Sequence, residues 1–186
     1  ADLVLELPLP WATASAEGFA SGAVGTLRAT GLVTHLVFGS EGGDTAPLIR
    51  LAEVLASGAF DEVLRRELTR GDSFAAARQR AAAILLSQEE TAPLARPNDL
   101  LGVEYCKALR GSGIRPLAVP RRGSGHDGGG TDGFSASAIR ELIWRGETER
   151  ALGLMAPAMA EAYRAEQQAG RAPVLWKTCE RAILAR

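Results

Sequence analysis

The residues of this chain best suited to chemistry lie between Gly123 and Arg140, in the stretch GSGHDGGGTDGFSASAIR. Six glycines fall between Gly123 and Gly133, and Ser135, Ser137 and Arg140 follow at the start of an apolar-periodic segment. Ile139, Leu142 and Ile143 recur at helical spacing, so Ser135 is expected to cap a helix running to about Gly146. A glycine loop that feeds a helix N-terminus gathers free backbone N–H groups and the positive end of the helix dipole at one place, which suits an anion. Two hydroxyls and a guanidinium in the first turns would complete a phosphate cradle. The same pattern also describes a surface loop before a capped helix, with Arg140 in a surface ion pair.

Elements must hold such a cradle in place, and the composition leaves room for them. At 186 residues and 46% hydrophobic content the chain can build one real core, with or without a small appendage. The net charge of −1 gives no global basic field for nucleic acid. Arg65, Arg66, Arg70, Arg78 and Arg80 lie close together, but such a run reads first as a solvated helix face. Cys106 and Cys179 lack metal-like spacing and are expected to be reduced, in a cytoplasmic chain. His35 and His126 stand far apart, so neither a metal site nor a Ser-His-Asp triad can be read from the sequence. No apolar run reaches the length of a membrane span, and no signal peptide is visible.

In chain order, Asp2–Leu7 reads as a short buried strand, followed by a loop from Trp11 to Ser15 and a helix from Ala16 to Gly31. Gly18, Gly22 and Gly25 within it would permit close approach to a neighbour. Leu32–Phe38 is a second strand, with His35 expected in the core, and it runs into FGSEGGD, where ligands of open α/β sheets usually bind. A helix capped by Thr45 follows, with the stripe Leu48, Leu51, Ala52 and Leu55 and a stop at Gly58. An αα pair then turns at Gly71–Asp72, with Val63, Leu64, Phe74, Ala77, Ile84 and Leu85 expected to be buried. Beyond a loop to Pro97, Asn98 stands at an N-cap position before a helix that ends at Gly111. Ile114–Val119 is a third strand, placed at an edge by Pro116, and it delivers Arg121 into the glycine loop. The alternation predicts an α/β fold with a doubly wound parallel sheet, a helical insertion and a helical C-terminal tail. Residues 1–150 would form the main domain and 151–186 the tail. Three strands are few for so many helices.

Three segments together resemble one family. They are ADLVLELPLPWATASAEGFASGAV followed by FGSE, then RPNDLLGVEYCKAL, then RPLAVPRRGSGHD leading into FSASAIR. They are similar to the bacterial tRNA(Met) cytidine acetate ligases, a branch of the HIGH-type nucleotidyltransferase superfamily. The resemblance implies a Rossmann-like nucleotidyltransferase sheet and an enzyme that uses ATP, as its Mg2+ complex, to form acetyl-adenylate. The acetyl group then passes to N4 of the wobble cytidine of elongator tRNA(Met). By position, Gly39, Asn98 and Arg121 would lie at the ATP, and Ser135, Ser137 and Arg140 would match the phosphate-binding signature. The family's first strand, with its EYNPFHNGH-type motif, has no counterpart here, and neither histidine sits in an HxGH context. No catalytic residue is therefore assigned. The chain reads as a catalytic domain truncated at both ends, expected to be inactive or very poor by itself. The alternatives are a noncatalytic nucleotide- or tRNA-binding module, or another nucleotidyltransferase of the same superfamily. A dinucleotide-binding domain is disfavoured, because no G-x-G-x-x-G follows a strand and opens a helix.

Overall fold

Two short apolar runs, HLVFGS and RPLAVP, pair as parallel strands, β1 (His35–Ser40) and β2 (Arg115–Pro120), with His35 opposite Arg115 and Ser40 opposite Pro120. The computed structural model describes residues 2–121 and 136–174. The glycine loop with His126, as well as Arg122, Ser135, Cys179 and the expected helix from Leu175 to Arg186, lies outside the described residues. The chain divides into two compact units, Ala1–Arg121 and Arg122–Arg186.

In the first unit, α1 (Leu9–Ala12) and α2 (Ala16–Ala29) precede β1. The crossover to β2 carries α3 (Thr45–Leu55), α4 (Gly58–Leu68), α5 (Phe74–Leu85), the short α6 (Gln88–Thr91), a 3-10 turn (Ala92–Ala95) and α7 (Pro97–Leu109). A parallel pair needs such a crossover, and here it supplies the core as well. Phe38 and Ala118 of the sheet pack with Leu48, Leu51, Phe60 and Val103. A smaller cluster of Val24, Leu109 and Ile114 joins α2 to α7 and the approach to β2. The opposite face of the strands leaves Val37, Leu117 and Val119 exposed. Cys106 belongs to the main core, and burial pushes its thiol up to about 12, so it stays protonated and behaves as a small apolar group.

The stripe Leu48, Leu51, Ala52 and Leu55 is buried as the periodicity predicts. Other expectations are corrected. Residues 2–8 form no strand, and Leu3, Val4 and Leu5 are exposed, since an apolar run without a pairing edge has no ladder to join. The described sheet therefore has two strands where the sequence suggested three. Trp11 lies in α1, not in a loop, and its ring covers Gly22, where an added Cβ would stand 2.5 Å from the indole. His35 is exposed and meets Thr34 Oγ1 at 3.0 Å, because β1 begins at His35 with that side chain on the open face. Asp44, not Thr45, caps α3, which frees Thr45 Oγ1 to accept the Ala118 N–H at 2.8 Å. Gly58 starts α4 behind the Ser57 cap instead of ending α3. Phe74, Ile84 and Leu85 are exposed, and Phe60, Ala77, Ala81 and Ala82 are the buried apolar residues of α4 and α5 instead. Small alanines let the helices approach closely, and the larger residues fall on the outer face.

The first two turns of α7 show why it carries a glycine. A Cβ on Gly102 would lie 2.6 Å from Phe38 Cε2 and 3.0 Å from Leu48 Cδ1. Gly25 of α2 has nothing within 4 Å of that position. Alanine gains about 1 kcal/mol over glycine in a helix, whereas overpacking a dense core costs about 1–3 kcal/mol. Gly25→Ala is therefore expected to raise the urea midpoint and Gly102→Ala to lower it. Equal shifts from the two variants would show that the Phe38 ring can move aside.

The second unit contributes α8 (Ala136–Trp144), α9 (Thr148–Gly153) and α10 (Pro157–Gln168). Ala151, Leu152 and Ala160 are its buried residues among those described. Pro157 stands at the start of α10, where its missing N–H costs nothing. No helix among the described residues is long and apolar enough to cross a membrane.

Candidate functional site

The two strands end side by side, and the residues that follow each one turn toward the start of α7. Arg121 is the first residue past β2, and its N–H donates to the Ser40 carbonyl at 3.0 Å, which extends the pairing by one step. Glu41 is the first residue past β1. Asn98 and Asp99 lie in the first turn of α7, whose N-cap is Arg96 and whose first residue is Pro97. Asn98 is thus inside the helix and not its cap, a correction with a clear cause. Arg96 is extended as the residue before proline must be, and it has no side-chain cap bond.

Two carboxylates take over the capping from opposite sides. Glu41 Oε1 accepts from Asn98 N at 3.1 Å and from Asn98 Nδ2 at 2.6 Å, and Glu41 Oε2 accepts from Asp99 N at 2.8 Å. Pro97 has no N–H, and Leu100 N donates to the Arg96 carbonyl at 2.8 Å, so the first turn of α7 has no donor left over. In return, Asp99 Oδ1 accepts from Ser40 Oγ, from Glu41 N at 2.9 Å and from Gly42 N at 3.4 Å. Asp99 Oδ2 meets Arg96 Nη1 at 3.2 Å. Ser40 Oγ in turn accepts from Gly43 N at 2.9 Å. The loop after β1 caps the helix, and the helix caps the loop. Partial burial pushes the Glu41 carboxyl up, but the Asn98 side chain and the Asn98 and Asp99 N–H groups outweigh it and hold the carboxyl below the usual range.

This frame presents three of the residues singled out by the sequence. Arg121 Nη1 donates to Asn98 Oδ1 at 2.7 Å. A Cβ on Gly39 would stand 3.1 Å from Arg121 Cγ, so the bare backbone of Gly39 gives the arginine stem room to cross the end of β1. Gly39, Asn98 and Arg121 therefore meet at the carboxyl ends of parallel strands, where open α/β sheets place their ligands. Arg121 is exposed, and no carboxylate among the described residues pairs with it.

Across its full length, residues 1–186, the chain matches the family described as HIGH Nucleotidyl Transferase. The chain belongs to that family. The chain is 36% identical over 192 residues to the tRNA(Met) cytidine acetate ligase of Syntrophomonas wolfei, covering 98% of this chain and 46% of that protein. It is 45% identical over 167 residues to the ligase of the same name from Syntrophotalea carbinolica, covering 85% of this chain and 39% of that one. Its structure is similar to that of Thermotoga maritima TmcAL bound with alpha-thio ATP, with a TM-score of 0.78 and 38% identity over 92% of this chain and 42% of the other. The chain spans about half the length of the curated relatives it matches.

In the second unit, Ser137 and Arg140 share one turn of α8, where Arg140 Nη2 donates to Ser137 Oγ at 3.3 Å. Both are exposed, and Ser135 lies outside the described residues. Sequence reasoning missed Glu41 and Asp99, which organise the site in the first unit. Each stands close to a residue already singled out, Glu41 two places after Gly39 and Asp99 next to Asn98. An acidic residue just past a strand and another in the first turn of a helix were the available signal. The arginine run is also clarified. Arg66 pairs with Glu62, Arg70 with Glu67 at 3.0 Å, Arg78 with Glu104, and Arg80 with Glu67 at 2.7 Å. These cations serve the α4–α5 surface and its contact with α7.

Proposed function

We propose that the chain is the ATP-binding part of a tRNA(Met) cytidine acetate ligase. Asn98 and Arg121, with the exposed backbone of Gly39, are the proposed ATP contacts in the first unit. In the second unit, Ser135, Ser137 and Arg140 are the proposed phosphate ligands. ATP enters as its Mg2+ complex. An acetate oxygen attacks the α-phosphorus, the bond from that phosphorus to the α,β-bridging oxygen breaks, and pyrophosphate leaves. N4 of the wobble cytidine in elongator tRNA(Met) then attacks the acetyl carbonyl, the acyl–oxygen bond breaks, AMP leaves, and N4 gives up a proton. Negative charge builds on phosphate oxygens in the first step, and preset guanidinium groups stabilise it without reorganising. These substrates place the reaction in the cytoplasm.

The observation that carries this reading is the Asn98–Arg121 contact at the ends of the parallel strands. It orients a guanidinium while leaving its charge unneutralised among the described residues. Arg110 and Arg115 are exposed and, among the described residues, have no acidic partner, which makes them candidates for tRNA phosphates.

Calorimetry with Mg–ATP, with and without acetate, tests the reading, followed by transfer of labelled acetate to tRNA(Met). Saturable ATP binding is expected. A chain folded by circular dichroism that binds no ATP would remove the reading. ATP binding with little or no acetyl transfer is the result expected of the ATP-binding part by itself.

A further inference from the structure

Asn98 stands between a group that can only accept and a group that can only donate. On one side is the Glu41 carboxylate, 2.6 Å from Nδ2, and on the other is the Arg121 guanidinium, 2.7 Å from Oδ1. The nitrogen and oxygen ends of an amide are chemically opposite, so only one orientation satisfies both neighbours. Turning the amide over would set Oδ1 against the Glu41 carboxylate and Nδ2 against the guanidinium, two repulsive contacts in place of two favourable ones. Glu41 is itself held, since its two oxygens also take the Asn98 and Asp99 N–H groups. Among the described residues, Asn98 is the hydrogen-bonding partner of the Arg121 side chain, which is exposed and whose stem crosses the bare Gly39.

We propose that Glu41 is a positioning residue, which fixes the Asn98 amide so that its oxygen holds the Arg121 guanidinium in place. The amide acts as a neutral spacer. It transmits the orientation set by Glu41 while keeping the carboxylate away from the guanidinium, whose charge stays available for an anionic group. A carboxylate in direct contact would orient Arg121 equally well and neutralise it. This assignment rests on the nucleotide reading above for the identity of the anion, but the orientation of the amide can be read without any nucleotide.

Asn98 is the only asparagine in the sequence, so selective asparagine labelling with nitrogen-15 yields a single side-chain NH2 pair in the proton–nitrogen spectrum. In the unmutated chain that pair is expected to be shifted and slow to exchange. In Glu41→Gln it should collapse toward the position of a free amide. The substituted side chain offers one acceptor and one donor, and so it cannot face both Asn98 Nδ2 and the Asp99 N–H correctly. ATP affinity should fall about tenfold in Glu41→Gln, the size of effect typical of a hydrogen bond to a charged group. The same substitution in an Asn98→Ala background should change affinity less than about twofold, since the relay is already cut. An unchanged NH2 pair in Glu41→Gln overturns the proposal. So does an equal loss of affinity in the presence and absence of the Asn98 side chain, because a merely structural role for Glu41 would give that result. If the unmutated chain binds no ATP, the nucleotide reading fails, and the NH2 pair alone still decides whether Glu41 sets the amide.

Discussion

Replacing Asp99 with alanine is expected to destabilise the first unit by about 3 kcal/mol, the upper end of what leaving buried hydrogen-bonding groups unsatisfied costs. Asp99 is 1% exposed and Ser40 is 0% exposed, so neither can turn to water for a replacement partner. Alanine would leave the Ser40 hydroxyl, the Glu41 N–H and the Gly42 N–H without the oxygen that gathers them. It would also leave Arg96 without its carboxylate. Asparagine should do less harm, about 1–2 kcal/mol, because its oxygen can keep the loop contacts while its NH2 faces Arg96. Urea unfolding followed by far-ultraviolet circular dichroism measures both. An alanine variant within about 0.5 kcal/mol of the unmutated chain would show that loop and helix hold together without this carboxylate.

Arg121→Ala is expected to weaken ATP binding by about 10- to 100-fold, equivalent to the roughly 1.5–3 kcal/mol of a hydrogen bond involving a charged group. Stability should hardly change, since the side chain is exposed and its partner Asn98 Oδ1 can bond water instead. Lysine at this position should recover only part of the affinity. An ammonium carries the charge but lacks the planar fork that can bond an amide oxygen and a phosphate at once. Calorimetric titration of the three proteins with Mg–ATP reads the order directly. Equal affinities for arginine and alanine would exclude Arg121 from the nucleotide site.

The sequence revealed the architecture where side-chain periodicity controls it. The α3 stripe and the turn at Gly71, with φ +80°, follow from local rules. Its reading of Asp2–Leu7 as a strand did not hold, because a strand depends on a partner that no local pattern encodes. The buried positions of α7 are Asp99, Gly102, Val103, Glu104, Cys106 and Leu109, a set that includes two acids and a glycine. Hydropathy favours leucine over aspartate and glycine, and it misses an aspartate that is buried because Ser40, Glu41, Gly42 and Arg96 all donate to it. Gly39, Asn98 and Arg121 were legible as motif positions, and the structure brings them together. Glu41 was not, since what it does depends on Asn98, which lies 57 residues further along the chain.

The mutual capping of the β1–α3 loop and α7 has a consequence for how this region opens. The amide protons of Glu41 and Gly42 are held by Asp99, and those of Asn98 and Asp99 are held by Glu41. Neither segment can expose its own amides to solvent without uncovering those of the other. Two stretches remote in sequence thus form one cooperative unit of hydrogen exchange, whose opening free energy is shared between them.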